Sequence, residues 1–380
     1  MEPASVRAVE SDATTLPRRR FYQPELDCLR FFAFFAVFIF HTLPHETDYY
    51  STRHIPFAAL IASVSRAGSF GVDLFFLLSA YLISQLLLRE KETFGHVSLK
   101  AFYLRRILRI WPLYFLAIFI GVLLTLVDPT QHFPAKYVIA FLLLSGNWLQ
   151  SLIGAPGSVM NPLWSVSFEE QFYLVWPTVI SKVRSARSLL FVCLGLFGIS
   201  EVGRLVLLRY ARYSEVTIFT NSVARLDPLA LGIIIAVLTR SRPLSFTWMA
   251  RGALLAAGIT VWLLAGHYFS MTRTFMLIGY PMMAIGAGLI FLSVLESGVA
   301  PAWLRYLGKI SYGLYVFHVL ALYLVENAIG GYARNFHKFF VFWWGGLALT
   351  LVMAALSYRF VESPFLRLKE RYALVKSRPV

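Results

Sequence analysis

Residues Arg30 to His41 read RFFAFFAVFIFH, an arginine and a histidine at the two ends of ten uninterrupted apolar residues. Ionisable side chains are expensive inside a bilayer, so each end of this run needs a reason. As an α-helix, the run sets His41 roughly 16 Å beyond Arg30 and within about 20° of the same face. One face thus carries a fixed cation near its start and a titratable imidazole about half a bilayer deeper. The alternative is an arginine snorkelling to the interface and a histidine that lies near the far end for structural reasons.

The rest of the chain has the same character. Its 380 residues are 58% hydrophobic and 14% charged, and its mean hydropathy is +0.65. Soluble proteins are about half apolar and a quarter charged, so this is an all-α polytopic membrane protein. The net charge of +15 is spread over short loops between apolar runs, which speaks against a nucleic-acid partner and for topology-setting charge. Cys28 and Cys193 lie in or beside apolar segments and indicate neither a disulfide framework nor a metal site. No removable signal peptide is visible in residues 1–23.

Spans are expected near 28–43, 69–88, 110–127, 166–181, 188–208, 219–238, 252–269, 274–295, 310–329 and 339–359, a bundle of about ten transmembrane helices. The apolar segment 137–153 is expected to re-enter or lie on the surface. A full crossing there would carry every later basic loop to the outer side. With the basic clusters Arg18, Arg19 and Arg20, Arg89 to Arg109, and Arg367 to Arg378 inside, both termini are cytoplasmic. The expected division is a cytoplasmic tail at 1–23, a membrane domain at 24–365 and a basic cytoplasmic tail at 366–380.

Several polar residues within this apolar frame are candidates for chemistry. Asp73, near the outer start of the second span, is expected to orient the His41 imidazole, or else to complement a helix dipole. Arg105, Arg106 and Arg109 precede Trp111-Pro112, and paired guanidinium forks suit the phosphates of a nucleotide or coenzyme; ordinary topology-setting charge is the other reading. Glu169 and Glu170 lie in Trp164-Ser165-Val166-Ser167-Phe168-Glu169-Glu170-Gln171-Phe172-Tyr173. Adjacent helical residues point about 100° apart, so at most one faces a central cavity as a general acid or base or a hydroxyl ligand. Trp164, Tyr173 and His318 are expected along the same cavity, although a hydrogen-bonded structural histidine fits His318 equally. Arg359 and Glu362 suggest an ion pair three residues apart. No second ligand set accompanies His41, His45, Glu46 and Asp48, so no metal is expected.

Taken in order, five stretches resemble the acyltransferase 3 family of integral membrane acyltransferases: Leu26-Asp27-Cys28-Leu29-Arg30 with His41, Gly71 to Phe76, Arg106-x-x-Arg109 before Trp111-Pro112, Trp164 to Tyr173, and Ser311-Tyr312 through His318 with Arg359 and Glu362-x-Pro364. Ala80-Tyr81 departs from the family's usual Gly-Phe. The resemblance implies transfer of an acyl group, most often acetyl, from cytoplasmic acyl-CoA to a hydroxyl of an extracytoplasmic or lipid-linked carbohydrate, in the inner (cytoplasmic) membrane and alongside glycan-assembly proteins. It implies His41 as the essential histidine accompanied by Arg30, and Arg106 and Arg109 as the holders of the coenzyme phosphates. No fused extracytoplasmic esterase domain is expected after Pro364. A transporter of a glycosidic or acylated solute is the alternative that intramembrane polar residues alone suggest.

Overall fold

The computed structural model describes residues 22–210, 215–241, 244–269, 274–331 and 336–372. The expectations that rest on Arg18, Arg19, Arg20, Lys376 and Arg378 lie outside the described residues. Among the described residues the fold is entirely helical. Helix α1 (Pro24–Thr42) is followed by α2 (Thr47–Ser51) and by α3 (Ala58–Ala67), which passes through a 3-10 turn into α4 (Gly71–Phe94). Next come α5 (Leu99–Val127), the short α6 (Ala135–Leu142) and α7 (Gly146–Ile153), α8 (Leu163–Lys182) and α9 (Ala186–Tyr210). The second half holds α10 (Glu215–Phe219), α11 (Asp227–Ser241), α12 (Trp248–His267), α13 (Tyr280–Val294), α14 (Ala302–Lys309), α15 (Ser311–Ile329), α16 (Phe336–Ser357) and α17 (Ser363–Glu370).

Among the described residues seven helical segments are long and apolar enough to cross a membrane: Ala58–Phe94, Leu99–Val127, Ala186–Arg209, Trp248–His267, Phe275–Val294, Ser311–Ile329 and His337–Glu370. This is a multi-pass arrangement. Three of the ten expected spans are not among the seven. In α1 the first two turns carry Glu25, Asp27 and Arg30. The α8 helix has Glu169 and Glu170 near its middle. The expected span at 219–238 is broken: the Asn221 carboxamide oxygen accepts the backbone N–H groups of Val223 and Ala224, a 3-10 turn spans Val223–Arg225, and α-helix resumes at Asp227. The second expected span instead begins earlier, at Ala58.

Polarity is distributed as a lipid solvent requires. Apolar side chains such as Leu126, Val127, Val175, Phe191 and Leu194 are exposed, while Arg204, Arg225, Asp73 and His318 are at most 1% exposed. Without a hydrophobic drive between helices in lipid, small residues permit close backbone approach. A Cβ at Gly71 would collide with the Ala33 carbonyl of α1, and one at Gly308 with that of Asp27. These two contacts set the height of α1, and therefore of Arg30 and His41, against α4 and α14.

The 137–153 segment does not form a single crossing helix. It breaks between α6 and α7, with Leu144 in the left-handed region (φ 56°). The Tyr137 hydroxyl donates to the Gly154 carbonyl at 2.5 Å, so the start of α6 meets the end of α7 and the pair folds back on itself. Exposed carbonyls at such a break must be satisfied by protein. Tyr114 of α5 donates to Phe141 O at 2.9 Å, and Gln171 of α8 donates to Leu144 O and to Asn147 Oδ1, both at 2.8 Å.

Near the end of the chain, Tyr358–Glu362 form a π turn. A π turn rotates less per residue than an α-helix, so residues three apart no longer share a face. Arg359 is exposed along Phe360 and Glu362 is buried, so the ion pair expected between them gives way.

Candidate active site

Two cavities lie one above the other along α1. The first, about 100 Å³, is lined by Arg30, Arg106, Arg109 and Glu169, with Ser79, Tyr173 and Tyr312 among the other groups. The second, about 270 Å³, is lined by His41 with Trp164, Phe219, Gln150 and Asn161. Val72 and Tyr315 line both and form the wall between them. The Tyr315 hydroxyl is held in that wall by Ser165, which donates to it at 2.7 Å, and itself donates to Pro162 O at 3.2 Å.

Helical phase alone does not sort the three arginines of α5, because Arg105 lies only four residues from Arg109; their partners do. Arg106 and Arg109, three residues apart, share the cavity face. The Arg106 guanidinium lies 5.1 Å from the Tyr173 ring and 5.5 Å from that of Phe102, and no ion pair involves it among the described residues. Arg105, expected with them, points elsewhere. It is buried, pairs with Glu90 at 3.1 Å and donates to Tyr372 O at 3.0 Å, which ties the start of α5 to α4 and to the turn after α17. Arg30 is half-buried, donates to Asp27 Oδ1 at 2.8 Å and lines the same cavity as Arg106.

The same rotation separates the two glutamates of α8. Glu169 lines the cavity and accepts from the Tyr173 hydroxyl at 2.9 Å, while Ser79 and Tyr173 share a hydrogen bond of 2.6 Å. Glu170 is turned into the bundle, where Trp111 Nε1 donates to it at 2.9 Å. Its role is to fasten α8 to α5.

One ring nitrogen of His41 is engaged by the protein. Its Nδ1 is 2.9 Å from Val37 O and 3.3 Å from Nε2 of His318, whose own Nδ1 is 2.6 Å from Tyr315 O. A carbonyl only accepts, so both Nδ1 atoms carry the proton. His318 then presents a lone pair to the His41 N–H, and Nε2 of His41 is left as a lone pair on a ring that lines the larger cavity. The rings meet edge to face, 4.8 Å apart.

Asp73 does not orient His41. It lies 2.6 Å from Arg225, both 1% exposed, and the group that meets His41 is His318. A second sealed pair, Arg204 with Asp227 at 2.6 Å, lies nearby. The rings and guanidinium groups interleave, with Arg225 4.8 Å and Arg204 5.8 Å from Tyr280.

Tyr315 and Gln171 are positions in the site whose contacts sequence reasoning passed over. Tyr312 and Tyr315, three apart on α15, line the cavities, whereas His318, expected along one cavity with Trp164 and Tyr173, lines neither, and Trp164 and Tyr173 line different ones, the larger and the smaller. Gln171 sits beside the glutamates in a stretch already singled out, but its partners are remote in sequence. Among the described residues no group of three or more His, Cys, Asp or Glu is placed to hold a metal.

The family described as an acyltransferase domain, of the acyltransferase 3 type, matches residues 23–360. The chain is 26% identical over 372 residues to the peptidoglycan O-acetyltransferase OatA of Listeria monocytogenes, covering 91% of this chain and 56% of that protein. It is 26% identical over 377 residues to the O-acetyltransferase OatA of Staphylococcus aureus, covering 90% of this chain and 57% of that one. The chain thus spans a little over half the length of these relatives. No solved structure matches it.

Proposed function

The chain belongs to the acyltransferase 3 family, and from that premise we propose that it transfers an acyl group, most simply acetyl, from cytoplasmic acyl-CoA to a hydroxyl of an extracytoplasmic or lipid-linked carbohydrate. The observation that carries this reading is the pair of adjoining cavities, one lined by arginines and one by His41, with only Val72 and Tyr315 common to both.

Arg106 and Arg109, with Arg30 beside them, hold the phosphates of the coenzyme, whose charge a guanidinium fork matches. The thioester reaches the wall at Tyr315. The acceptor hydroxyl gives its proton to Nε2 of His41 as its oxygen attacks the thioester carbonyl carbon. The new C–O bond forms, the C–S bond breaks, and the leaving thiolate takes the proton back from the imidazolium to give free CoA. His318 supports this cycle as a positioning residue, because its lone pair faces the Nδ1–H that stays on His41 throughout. Glu169, beside Tyr173, orients groups on the donor side.

This reading places the chain in the cytoplasmic membrane with both termini inside. In it α1, α8 and the stretch around α11 complete about ten crossings, and the folded-back α6–α7 pair re-enters from the outer face. In it the basic residues Arg89 and Lys91 at the end of α4 and Lys100 and Arg105 at the start of α5 lie on the cytoplasmic side, as the positive-inside rule favours. The relatives' names fit a glycan acceptor, and glycan-assembly proteins are the expected neighbours.

The test is acetyl-CoA consumption by the protein in liposomes supplied with envelope glycan, with the product read by mass spectrometry. Acetylated glycan from the wild type and none from His41→Ala is expected. Glycan that stays unmodified, or equal turnover by the two proteins, would contradict the reading.

A further inference from the structure

The larger cavity carries a feature that acid–base chemistry does not use. Asn161, in the turn that precedes α8, lines it, and its side-chain Oδ1 is buried without a hydrogen-bond partner. Buried polar atoms are almost always paired, so an orphan acceptor in a cavity wall calls for a guest that donates. Gln150 fixes the Asn161 backbone by donating its amide to the Asn161 carbonyl at 3.2 Å, which holds the side chain at the wall. Beside it, Trp164 and Phe219 form an aromatic surface, their ring centroids 5.1 Å apart. Among the described residues no lysine or arginine lines this cavity, so a phosphate finds no countercharge there.

A neutral guest with hydroxyl or amide N–H donors and one apolar face fits this chemistry. The volume of about 270 Å³ is at the lower edge of the roughly 300–1,000 Å³ of ordinary ligand pockets, which suits one ring rather than a run of them. We propose that Asn161 is a specificity-determining residue for the acceptor: its side chain hydrogen-bonds a donor group on a single sugar ring whose apolar face lies against Trp164 and Phe219. This rests on the acyl-transfer reading above and adds to it the group that selects the ring offered to His41.

The test uses the full chain in liposomes with acetyl-CoA and, separately, chitotetraose, cellotetraose and methyl rhamnoside as acceptors. Acceptor KM and acetyl-CoA KM are measured for the wild type, Asn161→Leu and Asn161→Ser, and CoA binding reports folding. Asn161→Leu is expected to raise the acceptor KM about tenfold or more, the loss of one buried hydrogen bond, with the acetyl-CoA KM unchanged within about twofold. Asn161→Ser serves in its place if the leucine variant fails to bind CoA. An unchanged acceptor KM in whichever variant binds CoA overturns the proposal and leaves acyl transfer standing. Failure of the wild type to acetylate any of the three acceptors overturns the acyl-transfer reading and this inference with it.

Discussion

Two groups of ionisable residues share the interior of this bundle, and they differ in how they are partnered. Asp73 with Arg225, and Arg204 with Asp227, are sealed against each other. Arg106 and Glu169 line a cavity, where Arg106 lies against aromatic rings and Glu169 accepts from the Tyr173 hydroxyl. By residue type alone all of them are functional candidates, since charge in a membrane is costly. Pairing separates them. A buried charge that meets its counterion holds helices in place, and one that faces a cavity is available to a ligand.

The largest effect expected from this contrast is on stability. Asp73→Ala leaves Arg225 buried and unpaired and should cost about 3–5 kcal/mol, read as early unfolding in detergent. Glu169→Gln keeps its hydrogen-bonding shape and should leave the unfolding midpoint near that of the wild type. Equal losses in the two would erase the distinction. Within α5 the same contrast sets Arg106 against Arg105. Arg106→Ala should weaken acyl-CoA binding by roughly ten- to a hundredfold, as for a lost charged hydrogen bond of about 1.5–3 kcal/mol, and leave the fold intact. Arg105→Ala should lower stability through Glu90 and leave CoA affinity unchanged.

Smaller effects sharpen the comparison on the His41 side. His318→Phe keeps the ring but removes the lone pair that faces the His41 N–H. The turnover number is expected to fall about tenfold, the equivalent of roughly 1.4 kcal/mol, with both KM values steady. A shift in KM alone would make His318 a substrate contact instead. Gln171→Ala frees the Leu144 carbonyl at the α6–α7 break and should cost about 1–3 kcal/mol, with protease sensitivity rising near residues 143–145.

Much of the fold is legible in the order of apolar runs, and helical phase gives part of the cavity lining. Arg106 and Arg109 share a face, and adjacent glutamates cannot both point inward. What the chain order hides is partner choice. Asp73 meets Arg225, 152 positions away, and no local spacing reports that encounter. Arg105 differs from Arg106 only through Glu90, a residue within the preceding helix. The same limit explains Gln171, whose function depends on a helix break that its own neighbours do not encode.

The proposed division of labour along α1 gives the donor to the arginine cavity and the proton to His41. Titrating CoA into the His41→Ala and Arg106→Ala/Arg109→Ala proteins by calorimetry tests it most directly. Wild-type CoA affinity with no acyl transfer is expected for His41→Ala, and lost affinity for the double arginine variant. Loss of CoA binding in His41→Ala, or its retention in the arginine variant, would contradict the account.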